Sequence, residues 1–321
     1  MTKPTPYGDR IPLLCLIELP PQARVLLERD FELKRPAADG LVPSQMSAEL
    51  ASCRGIVTGY RGRVEADLIG ALPALELIAC FTAGRDMVDS TAAAARGVAI
   101  WSNGAALAES VADLALALIL ALARDVRGAD QHVRSGAWVH ARFPSGALLS
   151  GARIGIAGYG MIGQGIARRA RGFGMEIGCF SRSAPDETEL NVFPDIGSLA
   201  KWADWLVLAL PGTPETHHLI GADVLAQLGA QGRLVNVARG SIVDEAALVA
   251  ALRNRVIAGA ALDVFSNEPN PDRELLAQDN LLLSPHQGSN THEALAHRSE
   301  ALAAKLRDFF FGSSRSLHSA I

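Results

Sequence analysis

Three segments of the 321-residue chain set reactive side chains just beyond apolar runs: Val235-Asn236-Val237-Ala238-Arg239-Gly240, Leu262-Asp263-Val264-Phe265-Ser266-Asn267-Glu268-Pro269 and Ser284-Pro285-His286-Gln287-Gly288-Ser289. Each run reads as a strand, so Arg239, Glu268 and His286 should emerge at one edge of a sheet. Together they suit a 2-oxo acid: a guanidinium for its carboxylate, an imidazole for the alcohol proton, and a carboxylate to hold the imidazole and stabilise its charged form. Taken singly, each has a plainer reading. Arg239 could be a surface salt bridge, Glu268 a loop charge and His286 a satisfied histidine at a strand end.

A second chemical signal is glycine, 30 of 321 residues. Gly158-Tyr159-Gly160-Met161-Ile162-Gly163 follows the strand-like Arg153 to Ala157 and opens a helical pattern. That context suits a dinucleotide: Gly158 for the tight turn, Gly160 so that the backbone approaches a pyrophosphate, Gly163 for close helix packing, and the helix N-terminus for partial positive charge. Where the next strand, Glu176 to Phe180, should meet the adenosine ribose, the chain has Ser181-Arg182-Ser183 instead of a carboxylate. A guanidinium with two hydroxyls accepts a 2′-phosphate, so NADP(H) is the expected cofactor and NAD(H) the alternative. The alternative has Arg182 stacking on adenine while Asp186 or Glu187 folds back to the ribose.

These groups must be positioned by a two-domain α/β frame. Short apolar runs alternate with helical patterns up to Trp101, and the alternation restarts at Arg153. This predicts two Rossmann-like, doubly wound parallel sheets with a ligand cleft between them. One long helix is expected from about Ala106 to Ser135 and a final one from His292 to Phe310. The formal net charge of −4, without a long Lys/Arg run, gives nothing to hold a phosphate backbone or an anionic bilayer. The longest clean apolar run, Leu114 to Ala123, reads as a buried helix and not as a membrane span. No secretory signal is evident at the N-terminus, so a cytoplasmic location is expected. Cys15, Cys53, Cys80 and Cys179 lack metal-ligand spacing and read as buried reduced thiols, and no metal is expected. No lysine sits in a GxxxxGK[ST] pattern, which removes a P-loop phosphotransferase. Trp101 and Trp138 read as packing residues.

The glycine loop, the Arg-Gly segment, the Asp-Val-Phe…Glu-Pro segment and the Pro-His-x-Gly-Ser segment occur in that order, and in that order they resemble the D-isomer-specific 2-hydroxyacid dehydrogenase family. The similarity runs from about Ile56 to Gly312. It implies a discontinuous flavodoxin-like substrate-binding domain, residues 1–102 plus 288–321, a dinucleotide-binding domain, 103–287, and a homodimer. By matching positions, Arg239 would bind the substrate, His286 would be the general acid and base, and Glu268 would hydrogen-bond His286. Ala83 and Gly84, in Thr82-Ala83-Gly84-Arg85-Asp86, would offer backbone N–H groups to the substrate carboxylate, and Leu107 would line the substrate pocket. Val111 would touch nicotinamide, unless Leu107 and Val111 are ordinary core residues. Leu210, Pro211, Thr216, Val237, Ala238 and Gly288 would flank the cofactor, and Asp263 would meet its carboxamide side. Ser181-Arg182-Ser183 with the Leu107 segment resembles the NADPH-preferring glyoxylate, hydroxypyruvate and hydroxyphenylpyruvate reductase branch, although Ala184-Pro185-Asp186-Glu187 departs from it. The implied reaction is hydride transfer to a small anionic 2-oxo acid, giving a D-2-hydroxy acid. Arg61, Arg63 or Arg85 could reach a second anionic group, or could be solvated surface arginines. The resemblance also admits larger substrates (phenylpyruvate, 2-ketogluconate) with NADH, formate or phosphite oxidation, or a non-catalytic dinucleotide-sensing module.

Overall fold

The computed structural model describes residues 10–36, 48–60, 62–182 and 190–312. The chain divides into two compact units, Met1–Leu107 with Thr291–Ile321, and Ala108–Asn290.

In the first unit, β1 (Ile11–Cys15), β2 (Phe31–Lys34), β3 (Gly55–Thr58), β4 (Leu77–Cys80) and β5 (Ala99–Ser102) form a sheet of order β2-β1-β3-β4-β5. Every pairing is parallel, in the flavodoxin-like order. Side-chain alternation divides the apolar residues between the two faces. Leu13, Val57 and Ala79 belong to one core with Leu302 and Leu306 of the C-terminal helix His292–Phe311, whereas Leu14, Ile56 and Ile78 join Leu68, Ile69 and Leu72 in the other. Thr291 caps the C-terminal helix by accepting the Ala294 N–H, and Arg307 pairs with Asp30 at 2.5 Å.

In the second unit, β6 (Arg153–Ala157), β7 (Glu176–Phe180), β8 (Asn191–Val192), β9 (Trp205–Leu208), β10 (Arg233–Asn236), β11 (Gly259–Leu262) and β12 (Leu281–Leu283) order as β12-β11-β10-β9-β6-β7-β8. All pairings are again parallel. The chain order reverses between β6 and β9, which makes the carboxyl ends of those strands a topological switch point. Both units are thus doubly wound, Rossmann-like α/β sheets. Ile154, Ile156 and Val235 line one core with Ile166 and Ala170 from the helix Met161–Gly172; Leu206, Leu234 and Ala260 line the other with Leu225 and Leu248.

Local physics departs from the sequence reading at several places. The single long helix divides into Gly104–Arg124 and Val126–Arg134, because Asp125 takes a left-handed conformation (φ 42°) and its carboxylate accepts the Gly128 N–H. Trp138 is 66% exposed, on a short turn without a buried residue, whereas Trp101 packs at the edge of the first unit's core. Two edge strands, β2 and β8, and the helices Ile196–Trp202 and Ala222–Leu228 lie where no element was expected. The helix Gly104–Arg124 is long and apolar enough to cross a membrane by length and composition. It contributes Ala112, Ala115 and Ile119 to a core, and its Glu109 and Asp113 pair with Arg168 and Arg169. That packing is the pattern of a core helix.

Candidate active site

The carboxyl ends of β10, β11 and β12 deliver Arg239, Glu268 and His286 to one edge of the second unit's sheet. His286 Nδ1 lies 2.6 Å from Glu268 Oε2, while Glu268 Oε1 accepts the Phe265 N–H at 2.9 Å. Partial burial pushes the Glu268 carboxyl up, yet the bonds from His286 and Phe265, with the nearby charge of Arg239, hold it below the ordinary glutamate range. An ionised carboxylate only accepts, so Nδ1 carries the hydrogen and Nε2 is left for exchange with a substrate oxygen. The Arg239 guanidinium itself donates to the Ala238 carbonyl at 2.6 Å, and its charge is felt at Glu268.

Hydrogen bonds behind these three side chains give this edge its shape. Asp263, 2% exposed, accepts the Ser284 hydroxyl (2.6 Å) and the Gln287 N–H (2.9 Å) on one oxygen and the Gly288 N–H (2.9 Å) on the other. It therefore ties the end of β11 to the loop that carries His286. The His286 N–H in turn donates to the Asp263 carbonyl at 2.8 Å. His286 has φ 50°, a left-handed conformation uncommon for a side-chain-bearing residue, and this clamp holds it there. Buried Asn236 accepts the Ala238 N–H and donates to the Arg239 carbonyl, shaping the arginine turn. A Cβ on Gly240 would stand 1.9 Å from the Phe265 carbonyl carbon, so the arginine and glutamate loops touch only because residue 240 is glycine. Sequence reasoning gave Asn236 and Ser284 no role; their signal is a polar residue at the buried end of an apolar strand.

The glycine loop has the cradle a pyrophosphate needs. Gly158 has φ 95°, and a Cβ there would lie 2.6 Å from the Ala209 carbonyl oxygen, across the switch point. A Cβ on Gly163 would lie 2.1 Å from the Gly158 oxygen, whereas one on Gly160 would meet nothing within 4 Å. Gly160 is the N-cap of the helix Met161–Gly172 and offers no side chain to the first-turn N–H groups, leaving them for an anion. These residues fit a dinucleotide.

The other expected contacts are distributed as follows. Met161 is exposed, Ile162 half-buried, and the Tyr159 side chain lies in the core. Val111 is also a core residue, and a Cβ on Gly288 would lie 3.4 Å from it and 3.2 Å from Asp263 Oδ2. Leu107 is buried at the end of the first unit's chain segment, and Ala83 and Gly84 are half-buried in the loop after β4. Leu210 is half-buried and Pro211 exposed; Val237 and Ala238 are buried. Thr216 donates its hydroxyl to the Pro211 carbonyl and so shapes the loop after β9. Ser181 and exposed Arg182 follow β7, and Glu215 of the loop after β9 is held below the ordinary range first by Thr213 and also by the Arg182 charge. Ser183, Asp186, Glu187 and Arg61 lie outside the described residues.

Residues 116–288 match the family described as D-isomer specific 2-hydroxyacid dehydrogenase, NAD binding domain. The chain belongs to this family. It is 42% identical over 259 residues to a 2-ketogluconate reductase of Gluconobacter oxydans, covering 80% of this chain and 83% of the relative. It is 36% identical over 316 residues to a glyoxylate/hydroxypyruvate reductase of Arabidopsis thaliana, covering 97% of each. Among solved structures, the NADPH-dependent glyoxylate/hydroxypyruvate reductase from Sinorhizobium meliloti, in complex with NADP and malonate, superposes with a TM-score of 0.89 at 37% identity over 94% of each chain. As a member of the dehydrogenase family, the chain is an oxidoreductase whose second unit carries the dinucleotide-binding sheet.

Proposed function

We propose that the chain reduces small 2-oxo acids of the glyoxylate and hydroxypyruvate type to D-2-hydroxy acids, with NADPH preferred and NADH as the alternative donor. The observation that carries this reading is the 2.6 Å bond between an ionised Glu268 and His286 Nδ1, which leaves Nε2 to protonate a carbonyl oxygen. Arg239 binds the substrate carboxylate and polarises the carbonyl, and Glu268 stabilises the positive charge of His286 before the proton moves. When bound, the dinucleotide supplies the hydride. Gly158, Tyr159, Gly160, Met161, Ile162 and Gly163 would hold its pyrophosphate, and Ser181, Arg182 and Ser183 its 2′-phosphate. Val111, Leu210, Pro211, Thr216, Val237, Ala238, Asp263 and Gly288 would flank it. Ala83 and Gly84 would present N–H groups to the substrate carboxylate and Leu107 would line the substrate side, making the first unit the substrate-binding domain.

A homodimer is part of this reading. The helix Val126–Arg134 has no buried residue, and Val126, Val133, Trp138, Val139 and Leu148 are all exposed along one stretch of chain, as an unpaired apolar interface requires. The enzyme would work in the cytoplasm without a membrane, in keeping with four buried cysteines that form no disulfide. The Gluconobacter relative favours a second reading, in which larger 2-oxo acids such as 2-ketogluconate are the preferred substrates. Initial rates with glyoxylate, hydroxypyruvate, phenylpyruvate and 2-ketogluconate, each with NADPH and NADH, separate the two. We expect the highest kcat/KM with glyoxylate or hydroxypyruvate and NADPH, and a loss of about 10²–10⁴-fold in His286→Gln. Wild-type turnover unaltered in that variant would sink the assignment.

A further inference from the structure

The first unit holds a half-buried cation that no described carboxylate neutralises. Arg298 lies in the helix His292–Phe311; its Cζ sits over the Phe81 ring, 4.5 Å from the centroid, and its Nε is buried without a hydrogen-bond partner. Other arginines of the fold meet carboxylates directly, among them Arg54 with Glu76, Arg153 with Asp204, Arg169 with Glu109 and Asp113, and Arg307 with Asp30, and half-buried Arg233, over the Trp205 ring, donates to the Gln231 carbonyl and feels the Asp204 charge. Burial alone acts on the Arg298 guanidinium, holding it below the ordinary arginine range. A desolvated charge with no counter-ion among the described residues is costly, and an arginine so placed suits an incoming anion.

Its surroundings say which anion. The Arg298 carbonyl accepts Asn103 Nδ2 at 2.7 Å, the Asn103 N–H donates to the Thr82 carbonyl at 2.9 Å, and the Thr82 hydroxyl donates to the Gly84 carbonyl at 3.0 Å. Phe81, under the guanidinium, is the residue immediately before Thr82. Arg298 is therefore bound through buried Asn103 to the root of the Thr82–Asp86 loop. A guanidinium whose face is taken by an aromatic ring still offers its N–H edge, and that edge matches a carboxylate in two parallel bonds.

We propose that Arg298 binds a second carboxylate on the tail of the substrate, so that dicarboxylic 2-oxo acids are substrates of this enzyme. The inference rests on the assignment of the Ala83–Gly84 loop to the primary carboxylate. The test compares ketomalonate and 2-oxoglutarate with glyoxylate and hydroxypyruvate, using NADPH, in the wild type, Arg298→Met and Arg298→Lys. In Arg298→Met the dicarboxylates should lose about tenfold or more in kcat/KM, through KM, while the monocarboxylates stay within about twofold; Arg298→Lys should keep part of the difference. Equal losses on both classes, no loss on either, or a wild type that turns over only monocarboxylates would overturn the proposal. A wild type inert toward every 2-oxo acid defeats the reductase reading instead, and ligand-induced thermal shifts then decide Arg298. Malonate should raise the wild-type Tm by about 2 °C or more over acetate, and that excess should vanish in Arg298→Met. An excess that survives in the variant rejects the role.

Discussion

Glu268 divides its two oxygens between the Phe265 N–H and the His286 ring, so a single carboxyl both anchors its own loop and aims the imidazole. Replacing it with Gln keeps an acceptor for Phe265 but removes the charge that stabilises the imidazolium. We expect kcat to fall about 10–100-fold in Glu268→Gln, with KM nearly unchanged, in steady-state assays at pH 7. The sign of the pH effect follows from the depressed carboxyl. Its contribution to stability is fully present above the ordinary glutamate value of 4.5 and is lost as pH falls through the lower, folded value. Asp204, lowered by its bond to Arg153 against partial burial, acts in the same direction in the same acid range. The wild-type Tm should therefore drop below about pH 4.5, and Glu268→Gln, with one carboxylate fewer to protonate, should drop less steeply over that range. Arg239, Glu268 and His286 could be read from sequence because each follows an apolar run within a few residues. The Asp263 clamp and the near contact of Gly240 with Phe265 were not legible. They depend on the parallel register of β10, β11 and β12, which local patterning does not encode.

The strand β6, the glycine turn and the helix Met161–Gly172 act as one element with two kinds of glycine. A Cβ on Gly163 runs into the Gly158 carbonyl, whereas a Cβ on Gly160 meets open space at a backbone conformation that any residue adopts (φ −76°). Gly163→Ala should lose cofactor binding and stability together, by several degrees in Tm, because the turn must open. Gly160→Ala should unfold at or slightly above the wild-type temperature yet bind NADPH about tenfold or more weakly, because its methyl occupies the approach to the pyrophosphate. Calorimetry beside a fluorescence titration of NADPH separates the two effects. Strongly patterned elements such as β6 and β12 were legible to the residue. The edge strands β2 and β8 were not: β2 has four residues with charges at Glu32 and Lys34, and β8 is two exposed residues, too little apolar alternation to stand out. The break at Asp125 was missed for a different reason: helical apolar spacing surrounds it, and only the left-handed backbone with the Gly128 bond ends the first helix.

At the scale of the whole molecule, the two sheets were legible from alternating runs, while the exposed apolar stretch from Val126 to Leu148 was not, because Trp138 has the composition of a packing residue. If that stretch joins two copies, Trp138→Arg with Val139→Asp should shift the species seen by analytical ultracentrifugation from dimer to monomer at micromolar concentration, with the secondary structure intact by circular dichroism. An unchanged sedimentation coefficient would assign these side chains to some other role. All four cysteines are buried and outside any disulfide, and burial pushes the Cys15 thiol up to about 12 and that of Cys80 up to about 11. With all four thiols buried, and Cys15 and Cys80 so little ionised at neutral pH, the folded surface is chemically silent toward maleimides and iodoacetamide. A cysteine introduced at Val25, 57% exposed on the helix Pro21–Leu27 and outside the Val126–Leu148 stretch, would then be the sole fast-reacting handle, and a fluorophore placed there would report subunit exchange directly from the native background.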